Sequence, residues 1–367
     1  MNVLHISRQF HPCVGGTEAF VLNLARRQKD EGYGVQVLTL NRDFRTGKPL
    51  PCGDMVEGIK IHRIPFWGSK RYPLAFSCFH YLKKCDIIHI HGVDFFLDYL
   101  IFLKCFHRKK VILHTHGGYF HTRFLFVLKK IYFYTVTRMV LAFCDKVVTV
   151  SSNDYALFSS IAYNVVEVPN GIDFARLSAI EKKQGSVLVT VGRVDGHKRI
   201  DRLIRLVAEL KSQDVPVALK VIGPDWKDLS NKLKELARSL GVENNIVFSG
   251  RLSDKDLLRE LASARAFLCA SEYEGFGIAA LEAMATATVP VLSNIAAFRQ
   301  LIRDKVNGML VEFEDTPAAA RAVISLLKMD RAAYRTMGRL AQETAAAYDW
   351  SRVSSEIGKI YRECMSG

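Results

Sequence analysis

Two glutamates eight positions apart enclose a glycine-containing loop in the second half of the chain. Glu274 and Glu282 stand on either side of the sequence 275–278, GFGI. A predicted strand ends before this loop at Cys269, and a predicted helix begins near Ile278. The free N–H groups at the start of a helix suit a phosphate, and a carboxylate beside it is tolerated where it accepts hydrogen bonds from sugar or ribose hydroxyls. Taken alone, the pair is better explained by the preference of acidic side chains for helix N-termini.

Two further loops follow predicted strands and carry residues suited to phosphate. Arg193 and Lys198 leave a strand end together and could clamp a diphosphate, the guanidinium through two hydrogen bonds and the ammonium as a point charge. A solvated basic loop is the alternative interpretation. Gly15 and Gly16 follow the first predicted strand, with Thr17 expected as a helix N-cap, and would let backbone N–H groups approach a phosphate. A tight turn alone would also use these glycines.

Histidines occur as two alternating pairs, His89 with His91 and His114 with His116. A spacing of two places each pair on one face of a strand, as a metal site would require, but no third set of ligands is evident, so we predict no bound metal. His116 differs because it stands at a predicted strand end before two glycines, where its side chain would face a cleft. The acidic string 254–256 follows a serine and opens a predicted helix, so we interpret it as helix capping.

The elements that must position these residues form two sets of alternating strands and helices. The first set has strands at 3–6, 35–40, 87–90, 111–113 and 147–150 with helices at 17–28, 94–106 and 119–143, and the second has strands at 187–191, 218–222, 246–248, 266–269 and 289–292. Apolar strands separated by helices indicate parallel sheets covered on both faces. We therefore predict an α/β protein of two doubly wound domains facing a central cleft, with ligands at the carboxyl ends of the strands. The predicted domains are 1–174 and 185–347, and a final helix in 348–367 is expected to cross back to the first domain.

Charge is distributed unevenly along the 367 residues, whose formal net charge is +14. Residues 1–184 contain 25 Lys+Arg against 14 Asp+Glu, whereas residues 185–367 contain 26 against 23. Between Asp98 and Asp145 there is no acidic residue, and all the charges there are basic: Lys104, Arg108, Lys109, Lys110, Arg123, Lys129, Lys130 and Arg138. Such a field favours an anionic partner. A nucleic acid is not predicted, because no helix-turn-helix, RNP or zinc motif is recognisable.

Neither a membrane-spanning segment nor a secretory signal is predicted. The longest uncharged run, 283–298, has 16 residues and contains Pro290, whereas a spanning helix needs about 18–20 apolar residues. The N-terminal residues lack a charged leader followed by an apolar stretch. The eight cysteines are scattered without a C-x-x-C pair, which favours reduced thiols. We therefore expect a cytoplasmic protein.

With these motifs in their order, the chain resembles the retaining glycosyltransferases of the family-4 type, which have the GT-B fold of two Rossmann-like domains. The resemblance runs from end to end, and its signature is Glu274, seven residues, then Glu282. It implies His116, Glu274, Arg193 and Lys198 as catalytic residues and a set of contacts to a nucleotide-sugar donor. These contacts are Gly15 and Gly16 near the phosphates, Arg193 and Lys198 at the diphosphate, Arg251 and Leu252 near the base, Glu274 with the amides of Phe276, Gly277 and Ile278 at the transferred sugar, Glu282 at the ribose, and His116 near the anomeric centre. The loop 195–197 departs from the family pattern.

A closer similarity is to the mannosyltransferases of bacterial exopolysaccharide synthesis, of the xanthan and acetan type. It lies in the strings 8–12, 91–100, 115–122 and 274–280, of which the middle two fall in the predicted acceptor domain. It implies transfer of mannose from GDP-mannose to a cellobiosyl-diphosphopolyprenol, with retention of configuration and with neither a metal nor a cofactor. A UDP-sugar-dependent transferase acting on a lipopolysaccharide or another lipid-linked acceptor is the alternative. Asp98 and His121 either touch the acceptor or satisfy the local fold.

The basic, aromatic segment 119–144 bears on whether the protein meets its acceptor at a membrane. Arg123, Lys130 and Arg138 fall broadly on one side of the predicted helix, and little polar surface is left elsewhere. Such a helix either rests at a membrane interface or is buried against the sheet of its own domain. The first interpretation makes an anionic membrane surface a partner and places the protein peripherally at the inner face of the cytoplasmic membrane.

Overall fold

The computed structural model describes residues 1–13, 15–117, 126–183 and 185–366. The chain divides into two compact units: unit 1 comprises Met1–Asn170 with Trp350–Gly367, and unit 2 comprises Gly171–Asp349. Residues 171–183 belong to unit 2, whereas the sequence had ended the first domain at 174 and begun the second at 185.

Strands and helices alternate along most of the chain. The strands are β1 (Asn2–Ile6), β2 (Gly34–Leu40), β3 (Gly53–Val56), β4 (Ile59–Ile64), β5 (Trp67–Ser69), β6 (Tyr72–Leu74), β7 (Ile87–His91), β8 (Lys110–His114), β9 (Lys146–Thr149), β10 (Val165–Glu167), β11 (Leu188–Val191), β12 (Leu219–Ile222), β13 (Ile246–Gly250), β14 (Ala266–Cys269), β15 (Pro290–Ser293) and β16 (Met309–Val311). The α-helices are α1 (Gly16–Asp30), α2 (Phe95–Phe102), α3 (Lys104–His107), α4 (Phe126–Tyr132), α5 (Arg138–Leu141), α6 (Ser152–Ser159), α7 (Phe174–Ser178), α8 (Ile200–Ser212), α9 (Leu229–Ser239), α10 (Asp254–Ser263), α11 (Ile278–Ala285), α12 (Ala296–Arg299), α13 (Thr316–Leu327), α14 (Arg331–Ala346) and α15 (Trp350–Ser366).

Unit 1 is built on an eight-stranded sheet with the order β10-β9-β8-β7-β1-β2-β4-β3. All neighbours are parallel except β3 and β4. The five strands predicted for this half are confirmed as β1, β2, β7, β8 and β9. β4 was not predicted because Lys60, His62 and Arg63 interrupt its apolar residues, which form no continuous apolar run.

The two faces of the unit 1 sheet are covered by different helices. Leu4 and Ile6 of β1 belong to a core with side chains of α2 and α5. Val3 points to the other face, where side chains of α1 and α15 form a separate core. Because side chains alternate along a strand, His5 shares the face of Val3, and the same rule applies to the histidines of β7 and β8.

Unit 2 is built on a six-stranded parallel sheet with the order β13-β12-β11-β14-β15-β16. One face packs against residues of α8, α9 and α13, and the other against residues of α7, α10 and α11. All five predicted strands of this half are confirmed, and β16 is an addition. Both units are therefore α/β with helices on both faces of a largely parallel sheet.

Several local expectations can be compared with helix ends. Thr17 does not cap α1, because the helix begins at Gly16 and Gly15 is its N-cap. Ser253 accepts a hydrogen bond from the N–H of Asp256 and caps α10, which confirms capping as the role of the 254–256 string. The predicted helix 94–106 is two helices, α2 and α3. Of the predicted helix 119–143, residues 119–125 lie outside the described part, and a π-helical turn, Phe133–Thr137, separates α4 from α5.

Among the described residues, no helix combines the length and the apolar character needed to cross a bilayer.

Candidate active site

Lys198 and Glu274 form an ion pair at the carboxyl edge of the unit 2 sheet. Nζ of Lys198 lies 2.5 Å from Oε1 of Glu274, and the side chains are only 18% and 13% exposed. The hydroxyl of Ser271 donates to the same carboxylate oxygen at 2.7 Å. The loops that carry the pair follow neighbouring strands, β11 and β14, and the N–H of Glu272 donates to the carbonyl of His197 at 2.9 Å. The structure thus brings together two residues that the sequence assigned separately.

The backbone at this edge is packed too closely for side chains. A Cβ on Gly223, which follows β12, would lie 1.9 Å from the carbonyl oxygen of Gly192, which follows β11. Gly192 in turn lies against Lys198, whose Cε would be 3.3 Å from an added Cβ. Glycine at both positions lets the first turn after β11 approach the end of β12 and keeps the lysine along that turn.

Arg193 is exposed and stacks on an aromatic ring instead of joining the ion pair. Its guanidinium lies 5.3 Å from the ring centroid of Trp226, and no ion pair of Arg193 is formed within the described residues. The cationic group is thereby held at the same strand edge with its hydrogen-bonding N–H groups uncommitted to a carboxylate.

The loop 195–197, which departs from the family pattern, is a capped turn. Asp195 accepts a hydrogen bond from the N–H of Gly196 at 2.7 Å and another from Nζ of Lys227 at 2.9 Å. A short 3₁₀ segment, Gly196–Lys198, follows the cap. The local role of this string is therefore to turn the chain so that Lys198 faces Glu274.

The start of α11 has the features expected of an anion site. Gly277 is its N-cap with φ of 97°, and a Cβ there would lie 2.8 Å from the Phe298 ring, so glycine is required both for conformation and for space. No side chain of the described residues caps the helix, which leaves its first N–H groups to a ligand or to water. Phe276 is buried and Ile278 is partly buried beside them.

Glu282 lies one turn inside α11. Burial raises the pKa of its carboxyl to about 7, with a further rise from Asp254 and an opposing effect of Arg176. At neutral pH the carboxyl is therefore partly ionised, and in its ionised form it accepts hydrogen bonds from both hydroxyls of a diol. Arg251 and Leu252 follow β13 at the same strand edge, Arg251 exposed and Leu252 packed against the core.

Unit 1 contains a cavity of about 740 Å³ at the carboxyl ends of β1, β7 and β8. Its polar lining includes Arg8, Thr17, Glu18, Arg71, Tyr72, His91, Thr115, His116, Lys129, Tyr132 and Asp154. Gly15 and Gly16 form the start of α1 beside this lining. An added Cβ at Gly16 would meet nothing, whereas at Gly15 it would lie 2.4 Å from a carboxylate oxygen of Glu18.

His116 is the outermost member of a buried set of five histidines. Nε2 of His116 lies 3.0 Å from Nδ1 of His91, and Nε2 of His91 lies 2.9 Å from Nδ1 of His5. Nε2 of His5 lies 2.7 Å from Oε1 of Gln28 on α1. The rings of His114 and His116 stack with centroids 4.9 Å apart.

A second run of hydrogen bonds starts from the same glutamine. Nε2 of Gln28 donates to the hydroxyl of Tyr361 on α15 at 3.1 Å, and that hydroxyl lies 2.5 Å from Nδ1 of His89. Nε2 of His89 lies 3.2 Å from Nδ1 of His114. Nε2 of His114 is buried and has no partner among the described residues.

The histidine set is uncharged at neutral pH. Burial lowers the pKa of His5 to about 4 and that of His116 to about 3. The pKa values of His89, His91 and His114 fall well below the ordinary value through burial and through the mutual repulsion of neighbouring imidazolium forms.

Ring nitrogens of His5, His89 and His91 all lie within 4.8 Å of one another, a spacing that a metal ion could bridge. Both nitrogens of each of these rings are already engaged in the hydrogen bonds described above. A metal would have to displace several of them and remain buried without a carboxylate ligand. The donor set therefore suits a hydrogen-bonded network better than a metal centre.

Asp98 organises two tyrosines of the cavity wall. Its Oδ2 accepts a hydrogen bond from Tyr72 at 2.6 Å and another from Tyr132, and its Oδ1 is buried without a partner in the described part of the chain. Burial raises the pKa of Asp98, against the effect of the two phenols. The contacts of Asp98 are thus with side chains that line the cavity. His121 lies outside the described residues.

Sequence reasoning missed a second carboxylate and the glutamine that joins the network. Asp94 is buried, caps α2 through the N–H of Phe96 at 2.9 Å, and lies 3.3 Å from Nε of Arg8. Burial raises its pKa to about 6, and Arg8 opposes the rise. The spacing of two within each pair, His89 with His91 and His114 with His116, was a signal for the network. Nothing in the sequence indicated that Gln28 or His5, which the strand register places opposite His89, would join it.

Comparison with known proteins fits this architecture. The chain matches the family model of Glycosyltransferase Family 4 over residues 14–176 and that of Glycosyl transferases group 1 over residues 173–344. A protein of Komagataeibacter xylinus named GDP-mannose:cellobiosyl-diphosphopolyprenol alpha-mannosyltransferase is 34% identical, over 100% of this chain and 94% of that protein. Its namesake from Xanthomonas campestris is 32% identical over 96% and 94%.

Solved structures agree on the fold. The structure of Anabaena HepE in complex with UDP superimposes with a TM-score of 0.80 at 17% identity, covering 99% of this chain and 100% of that one. The predicted α/β GT-B class is confirmed by this similarity and by the two doubly wound units. The two family matches and the full-length identity above 30% lead to one conclusion: the chain belongs to the family-4, group 1 glycosyltransferases.

Proposed function

We propose that this glycosyltransferase moves mannose from GDP-mannose, with retention of configuration, to a polyprenyl-diphosphate-linked oligosaccharide of exopolysaccharide biosynthesis. The observation that carries the proposal is the 32–34% identity to three transferases named for this reaction, which extends over 96–100% of the chain. The aligned residues include those of unit 1, whose cavity would receive the acceptor. Full-length similarity therefore supports the acceptor class as well as the donor.

The edge of the unit 2 sheet is suited to a nucleoside diphosphate sugar. The ion pair of Lys198 with Glu274 lies beside the N-terminus of α11, within the chain's donor motif. A diphosphate bound there would replace Glu274 as the partner of Lys198. Arg193 would add a second cation, and Glu274, freed from the lysine, would accept hydrogen bonds from sugar hydroxyls. Glu282 would bind the ribose diol.

The reaction would proceed by attack on the same face as the leaving group. The bond between the anomeric carbon and the phosphate oxygen breaks, the acceptor oxygen bonds to that carbon, and the acceptor proton passes to the leaving diphosphate. Lys198, Arg193 and the N–H groups of Phe276, Gly277 and Ile278 would stabilise the negative charge that develops on the diphosphate. A neutral His116 would stabilise the positive sugar. No residue in this scheme requires a metal ion or a cofactor.

A panel of GDP- and UDP-sugars tests the donor. We expect GDP and GDP-mannose to raise the melting temperature and UDP-sugars to have little effect. Transfer of labelled mannose to cellobiosyl-diphosphopolyprenol, with an α-linked product, tests the acceptor. Stabilisation by UDP and not by GDP would overturn the GDP-mannose assignment and favour a UDP-sugar transferase acting on another lipid-linked acceptor.

We also propose that unit 1 docks on an anionic membrane surface, where a polyprenyl acceptor would be anchored. Large apolar side chains are exposed along α2 to α5, with Phe102 78% and Phe106 73% exposed. Large apolar side chains exposed in 126–143 are Val127, Leu128, which also lines the cavity, Ile131, Tyr134, Met139 and Phe143. Nζ of Lys104 donates to the carbonyl of Phe143 at 2.6 Å, which joins the two parts of this surface.

Charge and apolar exposure coincide on this surface, which we call the docking patch. Arg108, Lys130 and Arg138 are exposed within the same segments. Each basic residue near an anionic leaflet contributes about 1 kcal/mol, and the apolar side chains add insertion into the interface. The alternative from the sequence, a helix buried against its own sheet, holds for Phe133, Val140 and Leu141, which belong to the core of unit 1. It does not hold for α4, where Val127 and Ile131 are exposed.

Vesicle sedimentation tests the docking patch. The protein should pellet with vesicles containing anionic lipid at low salt, and much less with neutral vesicles or at high salt. The double substitution Val127→Ser with Ile131→Ser should weaken binding, whereas Val247→Ser, at an exposed apolar position of unit 2, should not. Equal binding to neutral vesicles would contradict the electrostatic part of the proposal.

A further inference from the structure

We propose that Gln28 sets the tautomer of His116 through a relay of neutral imidazoles, placing the proton on Nε2 of His116 and a lone pair on Nδ1. Gln28 lies on α1, and the relay runs through His5 and His91 on the adjacent strands β1 and β7. Gln28, His5 and His91 are positioning residues in this account, since they act through His116.

The direction of each hydrogen bond follows from the first. An amide oxygen only accepts, so Nε2 of His5 must carry the proton that it shares with Oε1 of Gln28 at 2.7 Å. A neutral imidazole has one proton, so Nδ1 of His5 accepts, and Nε2 of His91 donates to it at 2.9 Å. By the same step Nδ1 of His91 accepts from Nε2 of His116 at 3.0 Å. Nδ1 of His116 is left as an acceptor.

The other end of the Gln28 amide begins the second run of hydrogen bonds. Its Nε2 donates to the hydroxyl of Tyr361 at 3.1 Å, which frees that hydroxyl to donate to Nδ1 of His89. His89 then carries its proton on Nε2 and donates to Nδ1 of His114 at 3.2 Å. Both runs of hydrogen bonds are therefore consistent with one amide orientation, and reversing the amide would reverse every donor in both.

Surrounding elements hold the rings in these orientations. Phe20 of α1 meets His114 and His116 edge-on, with centroids 4.6 and 5.0 Å apart, and Trp350 of α15 packs on Phe20. His116 lines the cavity of unit 1, and no hydrogen bond to its Nδ1 is formed within the described part of the chain. A lone pair at this position accepts a hydrogen bond from a substrate hydroxyl and stabilises positive charge, neither of which an imidazolium can do.

The role of that lone pair at the sugar rests on the proposed function, whereas the tautomer itself does not. The first arm of the test is therefore spectroscopic: long-range ¹H–¹⁵N correlation on the full-length protein with ¹⁵N-labelled histidine. We expect His5, His91 and His116 each to show a protonated Nε2 and a non-protonated Nδ1. A His116 protonated at Nδ1, or on both nitrogens at neutral pH, would overturn the proposal.

Substitutions test the relay. Gln28→Leu removes the terminal acceptor, so Nδ1 of His116 should move toward the protonated form, while Gln28→Glu retains an acceptor for His5 and should preserve the wild-type tautomer. His114→Leu is the matched control, because it removes an equally buried histidine from the other run of hydrogen bonds. If Gln28→Leu leaves the ¹⁵N shifts of His116 unchanged, or if His114→Leu alters them as much, the relay is wrong.

Kinetics provide the second arm. With GDP-mannose and the polyprenyl acceptor, Gln28→Leu should lower kcat about tenfold with little change in donor KM, since the wrong tautomer of a catalytic histidine costs up to about 10⁴-fold elsewhere. Gln28→Glu should recover most of the loss, and His114→Leu should lower kcat less than Gln28→Leu. An altered tautomer with unchanged kcat would refute a role at the sugar, and absence of transfer by the wild type would refute the proposed function while leaving the spectroscopic result intact.

Discussion

The two units prepare their candidate residues in opposite ways. In unit 2, Lys198, Glu274 and Arg193 are charged, and they are held at a loop surface by an ion pair and an aromatic ring. In unit 1, His116 belongs to a buried network in which every member is neutral. Of the 11 histidines in the chain, His197 alone lies in unit 2. The difference matches the proposed chemistry, in which cations meet a departing diphosphate and neutral acceptors meet a sugar that becomes positive.

The largest expected effect that separates the units is acid sensitivity. The four most buried histidines, His5, His89, His91 and His114, have pKa values below those of the unfolded chain, so the native state binds fewer protons and loses stability as pH falls below about 6.5. Each would cost about 2 kcal/mol of unfolding free energy between pH 7 and pH 5. Urea unfolding at the two pH values, with hydrogen exchange to locate the opening, should show the loss in unit 1.

Carboxyl groups of unit 1 oppose part of this loss. Burial raises the pKa of Asp94 to about 6, so the folded protein takes up a proton there as pH falls through that value. At pH 5 this offsets about 1 kcal/mol of the unfolding free energy lost through the histidines. Between pH 7 and pH 5 the variant His114→Leu should lose about 2 kcal/mol less unfolding free energy than the wild type, because it lacks one histidine that stays unprotonated in the folded state. If unit 2 opens first at pH 5, or if His114→Leu has the wild-type pH dependence, the neutral histidine network is not the cause of the acid sensitivity.

The next largest effect concerns the charged residues of unit 2. Lys198→Ala and Glu274→Ala should each lower kcat about 10²–10³-fold while the circular dichroism spectrum stays unchanged, because each removes a group that stabilises the transition state at a solvent-accessible loop. The double variant should be little worse than either single one, since the two side chains form one ion pair.

Lys227→Ala is the matched control for this pair. Lys227 also forms an ion pair at the same sheet edge, with Asp195 at 2.9 Å, but it is 62% exposed. An exposed pair of this kind contributes little, so its removal should change kcat less than about twofold. A loss as large as that of Lys198→Ala would mean that the whole loop, and not Lys198 in particular, is needed for transfer.

The same contrast explains which residues the sequence revealed. Glu274, Glu282, Arg193 and Lys198 lie in short strings after predicted strands, so local spacing was enough to identify them. Glu274 and Lys198 are brought together because β11 and β14 are sheet neighbours, which the sequence did not show. The network of unit 1 depends on contacts such as that of Gln28 with Tyr361, 333 positions apart, and no local pattern encodes such a partner.

A smaller effect concerns the cavity wall of unit 1. Asp98→Asn removes the charge that accepts the hydroxyls of Tyr72 and Tyr132, and charge-assisted hydrogen bonds are about twice as strong as neutral ones. We expect KM for the acceptor to rise about fivefold with the donor KM little changed. Tyr72→Phe should have a similar but smaller effect. Equal changes in both KM values would assign Asp98 to folding and not to the acceptor cavity.

Chelation should have the smallest effect, and it tests whether the histidines of unit 1 share protons or a metal ion. The nitrogens of His5, His89 and His91 are close enough to share a metal, yet each is engaged with another ring, Gln28 or Tyr361. If protons bridge these nitrogens, EDTA should change neither the melting temperature nor the transfer rate, because there is no ion to remove and none in the proposed mechanism. Since a metal requires non-protonated nitrogens and adds two charges to a buried site, a fall in melting temperature on chelation, reversed by Zn²⁺, would make unit 1 a charged centre and remove the distinction between the units.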